Sequence, residues 1–437
     1  MDATIGIYLL VIFGILIACG FPIAIAIACS SICIMLSVMP MKVVAITAGQ
    51  KLATGMDSFS LLAVPFFVLA GNIMNQGGIA KRLVNFAFLF VGKIPGSLSH
   101  VNVLSNMMFG SVSGSAVAAA AAVGKTLLPQ IKSTGLNLPV ASAINIASCP
   151  TGMLIPPSNG LIVYSVVSGG TSIGALFLAG YVPGILMGLG CMIVGFIYFK
   201  LKPELAGNQT RVYYSLSEKL KITWQALPSL GLIIVVIGSI IGGVCTATEA
   251  ACMAVLYSLL LSWIYKAINL ETLKSISKDT IHISAMVLFL IGASTVMSYI
   301  MAYAHLPQMI SEALLSISDN KIVILLIINL TLLIVGMFMD MTPAILIFTP
   351  IFLPVTTALG IDPVHFGIII TFNLCIGIVT PPVGTALFVG CSVSNLKIEQ
   401  VIKPLLPLIF AEIAILMVVT YVPELSLYLP RLTGLLQ

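Results

Sequence analysis

The sequence predicts an all-α, polytopic membrane protein made of two repeats, each with a re-entrant helical hairpin and a broken transmembrane helix. Three observations carry that expectation. Of 437 residues, 59% are hydrophobic and 8% charged, against roughly 25% charged in soluble domains. Apolar runs recur along almost the whole chain, which leaves room for about ten to twelve spans of ~20 residues. Finally, Gly152, Pro156 and Pro157 are matched by Gly377, Pro381 and Pro382 at a constant offset of 225.

The first repeat half is placed at residues 1–200. Its opening run, Thr4 to Val38, is interrupted by Gly20 and Pro22 and is long enough for two spans. It lacks a charged n-region, so no cleavable signal peptide is expected. A hairpin is expected at about 99–130, where "FGSVSGSAV" clusters Ser111, Ser113 and Ser115 between apolar helical runs. Each flank has about ten to fifteen residues, short for a full span. Small residues of this kind also pack helices together in membranes, and that reading stays open.

A broken helix is expected at about 138–169, around "CPTGMLIPPSNG". Proline removes a backbone donor, and an unpaired backbone group is costly in lipid. A half-helix ending near Ser148 and another starting at Pro157 resolve the conflict. The first presents free carbonyls suited to a cation. The second presents the N–H groups of Ser158, Asn159 and Gly160, suited to an anion. A simple proline kink in a packed helix is the competing reading.

Residues 201–224 form a basic connection. Lys200, Lys202, Arg211, Lys219 and Lys221 outweigh Glu204 and Glu218 there, which places it on the cytoplasmic side. Its "EKLKITWQALP" reads as an amphipathic helix on the membrane surface.

The second half, 225–437, repeats the plan with a hairpin at about 321–358 and a broken helix at about 363–395. Leu353-Pro354 and Gly360 answer Leu128-Pro129 and Gly135 at the same offset. Paired Gly/Pro-interrupted segments point to the binding site of a secondary transporter, with the repeats expected to be inverted.

Asp340, in "GMFMDMTPAIL", is the sharpest single residue. An intramembrane acid is a functional hypothesis by default, and a carboxylate beside freed carbonyls and Thr342 suits sodium. The alternative is a cap on the next helix. Pro343 disfavours helix at Thr342, so the turn is expected there. Glu249 reads as a cap after Thr248, and Glu412 has no explanation in the sequence.

Other classes fall away. Scattered basic residues give no nucleic-acid signature. "AAAAAVGKT" imitates a phosphate loop, but poly-alanine is helical and no strand precedes it. Serine chemistry needs a histidine base, and His100, His282, His305 and His365 all lie near charged or turn-rich connections. No enzyme is expected, nor a haem subunit. The nine cysteines form no C-x-x-C pair and read as small core hydrophobes.

"PFFVLAGNIMNQGGIAKRL", "HVNVLSNMMFGSVSGSAVAAAAAVG", "GTSIGALFLAGYVPGILMG", "GMFMDMTPAILIFTPIFLPV" and "GIDPVHFGIIITFNLCIGIVTPPVG" resemble the large membrane subunit of tripartite ATP-independent periplasmic (TRAP) transporters. The resemblance covers nearly the whole chain. It implies an elevator-type transporter of the bacterial inner membrane, with two or more sodium ions bound between hairpin tips and broken helices. Carried over, it implicates Ser111, Ser113, Ser115, Thr151 and Gly152 in one sodium site. Gly336, Asp340, Thr342, Gly377 and Thr380 belong to the other, and Ser158, Asn159 and Thr385 to the substrate. The implied partners are a small four-helix membrane subunit, a periplasmic substrate-binding protein, an organic acid and membrane lipid. The wording around "INIASCPTGMLIPPSNGLIVYSVVSGGTS" is similar to the sialic acid branch, with C4-dicarboxylates next. The alternatives are a stand-alone sodium-coupled organic anion carrier and, behind it, an integral membrane enzyme. One departure is that "AVAAAAAVG" lacks the acid many members carry there.

Overall fold

The computed structural model describes residues 2–91, 96–207, 215–318 and 320–436, and every regular element among them is helical. The chain opens with α1 (Asp2–Ala18), α2 (Ile23–Val38), α3 (Met41–Met56), α4 (Ala63–Gln76) and α5 (Ile79–Val91). A hairpin follows, α6 (Ser97–Ser113) and α7 (Ala116–Thr134), then a broken helix of α8 (Leu138–Ser148), α9 (Thr151–Leu154) and α10 (Asn159–Val167). Next come α11 (Ile173–Leu201), α12 (Leu216–Ile241), α13 (Ala247–Ile264), α14 (Leu270–Tyr303) and α15 (Leu306–Ile317). The second hairpin is α16 (Lys321–Phe338) and α17 (Met341–Ala358), and the second broken helix is α18 (Pro363–Gly377) and α19 (Thr385–Ser394). The chain closes with α20 (Ile398–Tyr421) and α21 (Glu424–Leu432).

Among the described residues eight helices are long and apolar enough to cross a membrane, or nine if the pair α8/α9 and α10, bent by 46°, counts as one. That is fewer than the ten to twelve expected from composition. The difference lies in short apolar helices such as α2 and α18, whose 16 and 15 residues reach only about 24 Å at 1.5 Å per residue. The hairpin helices are longer than expected, with 17, 19, 18 and 18 residues.

Local chemistry fixes the boundaries. Gly20, in a left-handed conformation, and Pro22 divide the opening run into α1 and α2. Gly114 and Gly135 end α6 and α7 at φ of 61° and 69°, a conformation glycine adopts without penalty. Asn137 and Asp362 cap α8 and α18, accepting from Val140 N (3.2 Å) and Val364 N (2.7 Å), with a proline in each first turn. Capping boxes start α12 at Ser215/Glu218 and α13 at Thr246/Glu249, so Glu249 is a cap, with Thr246 rather than Thr248 as its partner. The stretch expected to lie on the membrane surface runs without interruption into α12. Arg211 lies outside the described residues.

Two boundaries differ from the sequence reading. The second hairpin turns at Met339–Asp340, and Pro343 is the third residue of α17, where its missing N–H would have had no partner anyway. The half-helix expected from Pro157 begins at Asn159, because the Ser158 side chain supplies the cap, accepting from Leu161 N.

The broken helices are the core. Val140 to Ser148 of α8 and Val364 to Gly377 of α18 are buried throughout, as a helix apolar on all sides should be. His365 is buried inside α18, bonded to Ser426 Oγ (2.6 Å) and Thr420 O (3.2 Å), and His100 is buried in α6; neither stands in a connection. By contrast, α12 turns Trp224 and Ile234 outward, 75% and 72% exposed, as a lipid-facing helix would.

The hairpins open toward opposite ends of α11. Beside the C-terminal end of α11, Gly96 abuts Phe199 and Asn137 N–H donates to Leu205 O (3.0 Å). Near its N-terminal end, Gly367 packs on Leu176 and Tyr164, and Tyr164 Oη donates to Pro363 O (2.6 Å).

Candidate functional site

Each hairpin tip is pressed against the break of the broken helix that follows it. The contact is glycine on glycine in both cases. A Cβ on Gly110 would stand 2.7 Å from Gly152 Cα, and one on Gly336 would stand 3.0 Å from Gly377 Cα. No side chain fits there without displacing backbone, so the backbones of tip and break approach directly. Both Pro-Pro bonds, Pro156–Pro157 and Pro381–Pro382, are cis.

The first set of expected residues converges here. Ser111 Oγ donates to Met108 O (2.9 Å) and Thr151 Oγ1 to Ser148 O (2.6 Å), both buried. Ser113 Oγ lies 3.5 Å from Gly110 O and 3.4 Å from Ser115 O. Ser115 is the N-cap of α7, accepting from Ala118 N (3.3 Å). Hydroxyls that donate to carbonyls keep oxygen lone pairs for a hard cation, which prefers oxygen donors.

In the second half Asp340 occupies the N-cap position of α17, but its side chain makes no capping hydrogen bond. Its Oδ1 instead lies 3.5 Å from Thr385 Oγ1, the first residue of α19. Thr380 Oγ1 donates to Ile376 O (2.7 Å), and Thr342 sits in the first turn of α17. The carboxylate is therefore at the cap position without being spent on the cap. The oxygens present in this half are carbonyl, hydroxyl and carboxylate, the types a hard cation prefers.

Between the two tips lies the start of α10. Gly114 packs on Pro157 O and the Asn159 amide, and Gly160 packs on Met341 of the second hairpin. Asn159 Oδ1 is buried with no hydrogen-bond partner among the described residues. A buried orphan acceptor carries a cost of ~1–3 kcal/mol, and here it stands beside the free amide end of a helix. Ser158, by contrast, has its oxygen occupied by the cap and is fully buried.

Sequence reasoning missed a pair of asparagine bridges that fix tip to break. Asn106 Nδ2 of α6 reaches Ser148 Oγ (2.8 Å) and Asn145 Oδ1 (3.1 Å) of α8, while Asn145 Nδ2 donates to Ala120 O (3.0 Å) of α7. In the other half Asn373 Nδ2 of α18 donates to Asn329 Oδ1 of α16 (2.7 Å), and Asn329 Nδ2 to Thr420 Oγ1 of α20 (3.1 Å). The signal was present, because polar amides inside apolar runs seek partners on neighbouring helices.

Residues 10–425 match the family model described as tripartite ATP-independent periplasmic transporter, DctM component. The chain belongs to that family. The DctM component is thus a multi-pass membrane protein, in keeping with the bacterial inner membrane, and a transporter subunit rather than an enzyme. It is 53% identical to a Salmonella typhimurium protein named YgiK, over 96% of each chain. It is 40% identical to the sialic acid TRAP transporter large permease protein SiaM of Vibrio cholerae, over 88% of this chain and 89% of that one. In fold alone it is similar to the Alcanivorax borkumensis YdaH transporter, with a TM-score of 0.66 at 13% identity over 88% and 89% of the two chains.

Proposed function

We propose that this DctM component couples an inward sodium gradient to uptake of an organic acid anion, sialic acid first and a C4-dicarboxylate next. Delivery is by a periplasmic binding protein, and a small four-helix membrane subunit completes the system. The carrier is an inverted-repeat elevator: hairpins and broken helices travel as one body against α1–α5 and α12–α15. The observation that carries this reading is the doubled tip-on-break contact, Gly110 on Gly152 and Gly336 on Gly377, from hairpins that open toward opposite ends of α11. Two such contacts provide two oxygen-lined sodium sites. One involves Ser111, Ser113, Ser115, Thr151 and Gly152, the other Gly336, Asp340, Thr342, Gly377 and Thr380. The substrate anion sits between them, against the amide end of α10 with Asn159, and beside Thr385. Sodium stabilises the closed tip, and a closed tip on each side of the substrate links ion binding to translocation. Support for the substrate comes from the likeness to the sialic acid permease.

The test is uptake of labelled sialic acid into proteoliposomes holding this chain and its small subunit, with and without the binding protein. Accumulation that needs both the sodium gradient and the binding protein is expected. Accumulation indifferent to sodium would sink the coupling, and accumulation without the binding protein would sink tripartite delivery.

A further inference from the structure

Away from the hairpins, α5, α12 and α13 enclose a cavity of about 450 Å³ lined by Lys81, Arg82, Asn85, Trp224, Gln225 and Tyr265, together with Pro228. Two side chains are basic and none is acidic. The Arg82 guanidinium lies over the Tyr265 ring, 3.5 Å from its centroid, and one of its nitrogens donates to Gly78 O (2.9 Å). That fixes the planar fork while leaving other N–H groups for an acceptor. Tyr265 Oη is buried with no hydrogen-bond partner among the described residues. In the sequence, Lys219 and Lys221 precede Trp224 by five and three residues, and Lys266 directly follows Tyr265. The nearby acid, Glu218, is held in its capping box with Ser215.

We infer that this cavity binds the phosphate headgroup of an anionic phospholipid in the cytoplasmic leaflet. A fixed guanidinium matches phosphate bidentately, and a lysine adds a mobile point charge. Basic pockets between transmembrane helices recognise such headgroups. The leaflet follows from the basic connection and the lysines that share this side. Trp224 is 75% exposed, as suits an indole ring that anchors a helix at the headgroup level. Below it the outward face of α12 offers Leu227 and Ile234, 51% and 72% exposed, as a track for acyl chains. A free phosphate would use the same basic groups but would gain nothing from that apolar track. The lipid therefore ties α12, which leads from the connection into the second half, to α5 of the first.

The experiment is native mass spectrometry of the delipidated full-length chain titrated with dioleoyl phosphatidylglycerol or dioleoyl phosphatidylcholine. Preferential retention of phosphatidylglycerol is expected. It should fall about fivefold in Lys81→Gln and about thirtyfold in the double variant with Arg82→Gln, from the contribution of each basic group near the surface. Arg82 also packs on Tyr265, so Lys81→Glu, at an exposed position with Arg82 intact, provides a variant that folds and should lose the preference. Equal retention of the two lipids, or a preference that survives Lys81→Glu, would overturn the inference. So would displacement of the lipid by millimolar inorganic phosphate, or its exclusion when the small membrane subunit is bound.

Discussion

Replacing Gly377 by alanine tests the contact on which the proposed sodium sites depend. The added Cβ would stand 2.5 Å from Gly336 C and Cα and 2.7 Å from its carbonyl oxygen. Carbon atoms pack at about 3.5–4.0 Å, so tip and break must separate by roughly 1 Å. Both partners are backbone, so no side chain can rotate away. Overpacking of this kind costs about 1–3 kcal/mol. If the tip pays that cost only when it closes around sodium, apparent sodium affinity falls about 5- to 150-fold. The assay is the unfolding midpoint of the purified chain across a sodium series, with choline holding ionic strength constant. A bound ion stabilises the folded state as RT ln(1 + [L]/Kd), so on the proposed sodium binding the titration of Gly377→Ala should move to higher sodium. Gly238→Ala is the control, because a Cβ there meets nothing within 4 Å and alanine favours helix. A wild-type sodium titration in Gly377→Ala would refute the reasoning, as would an equal shift in Gly238→Ala.

Asp340→Asn keeps the shape of the side chain but removes its charge; it should weaken sodium-dependent stabilisation at least tenfold with the protein still folded, and an unchanged titration would leave Asp340 without the role. Asn373→Ala strands the buried Oδ1 of Asn329, at a cost of about 1–3 kcal/mol visible as a lower unfolding midpoint in the absence of sodium. Thr246→Ala removes the capping box of α13 and should cost about 1 kcal/mol without altering the sodium titration.

By itself the sequence determined the membrane class, because a chain 8% charged has no other solvent in which to fold. It also determined where the helices break. Proline fixes φ and removes a donor, so the breaks at Pro156-Pro157 and Pro381-Pro382 were legible without coordinates, although Pro129, Pro183 and Pro228 stand inside helices. The same local logic made the capped ends at Asn137 and Asp362 readable afterwards. Where side chains compete for one boundary the sequence was less certain, as at Pro343, which enters a helix start, and at Ser158, which takes over the cap from Pro157. The asparagines inside apolar runs were visible but their partners were not, because Asn106 and Ser148, or Asn329 and Asn373, are about 40 residues apart and nothing local pairs them. Nor was the glycine-on-glycine approach of tip to break, or the cavity where Lys81 meets Tyr265. Only the tertiary structure decided these, since backbone restrictions act within a few residues while packing joins surfaces that the chain order keeps apart.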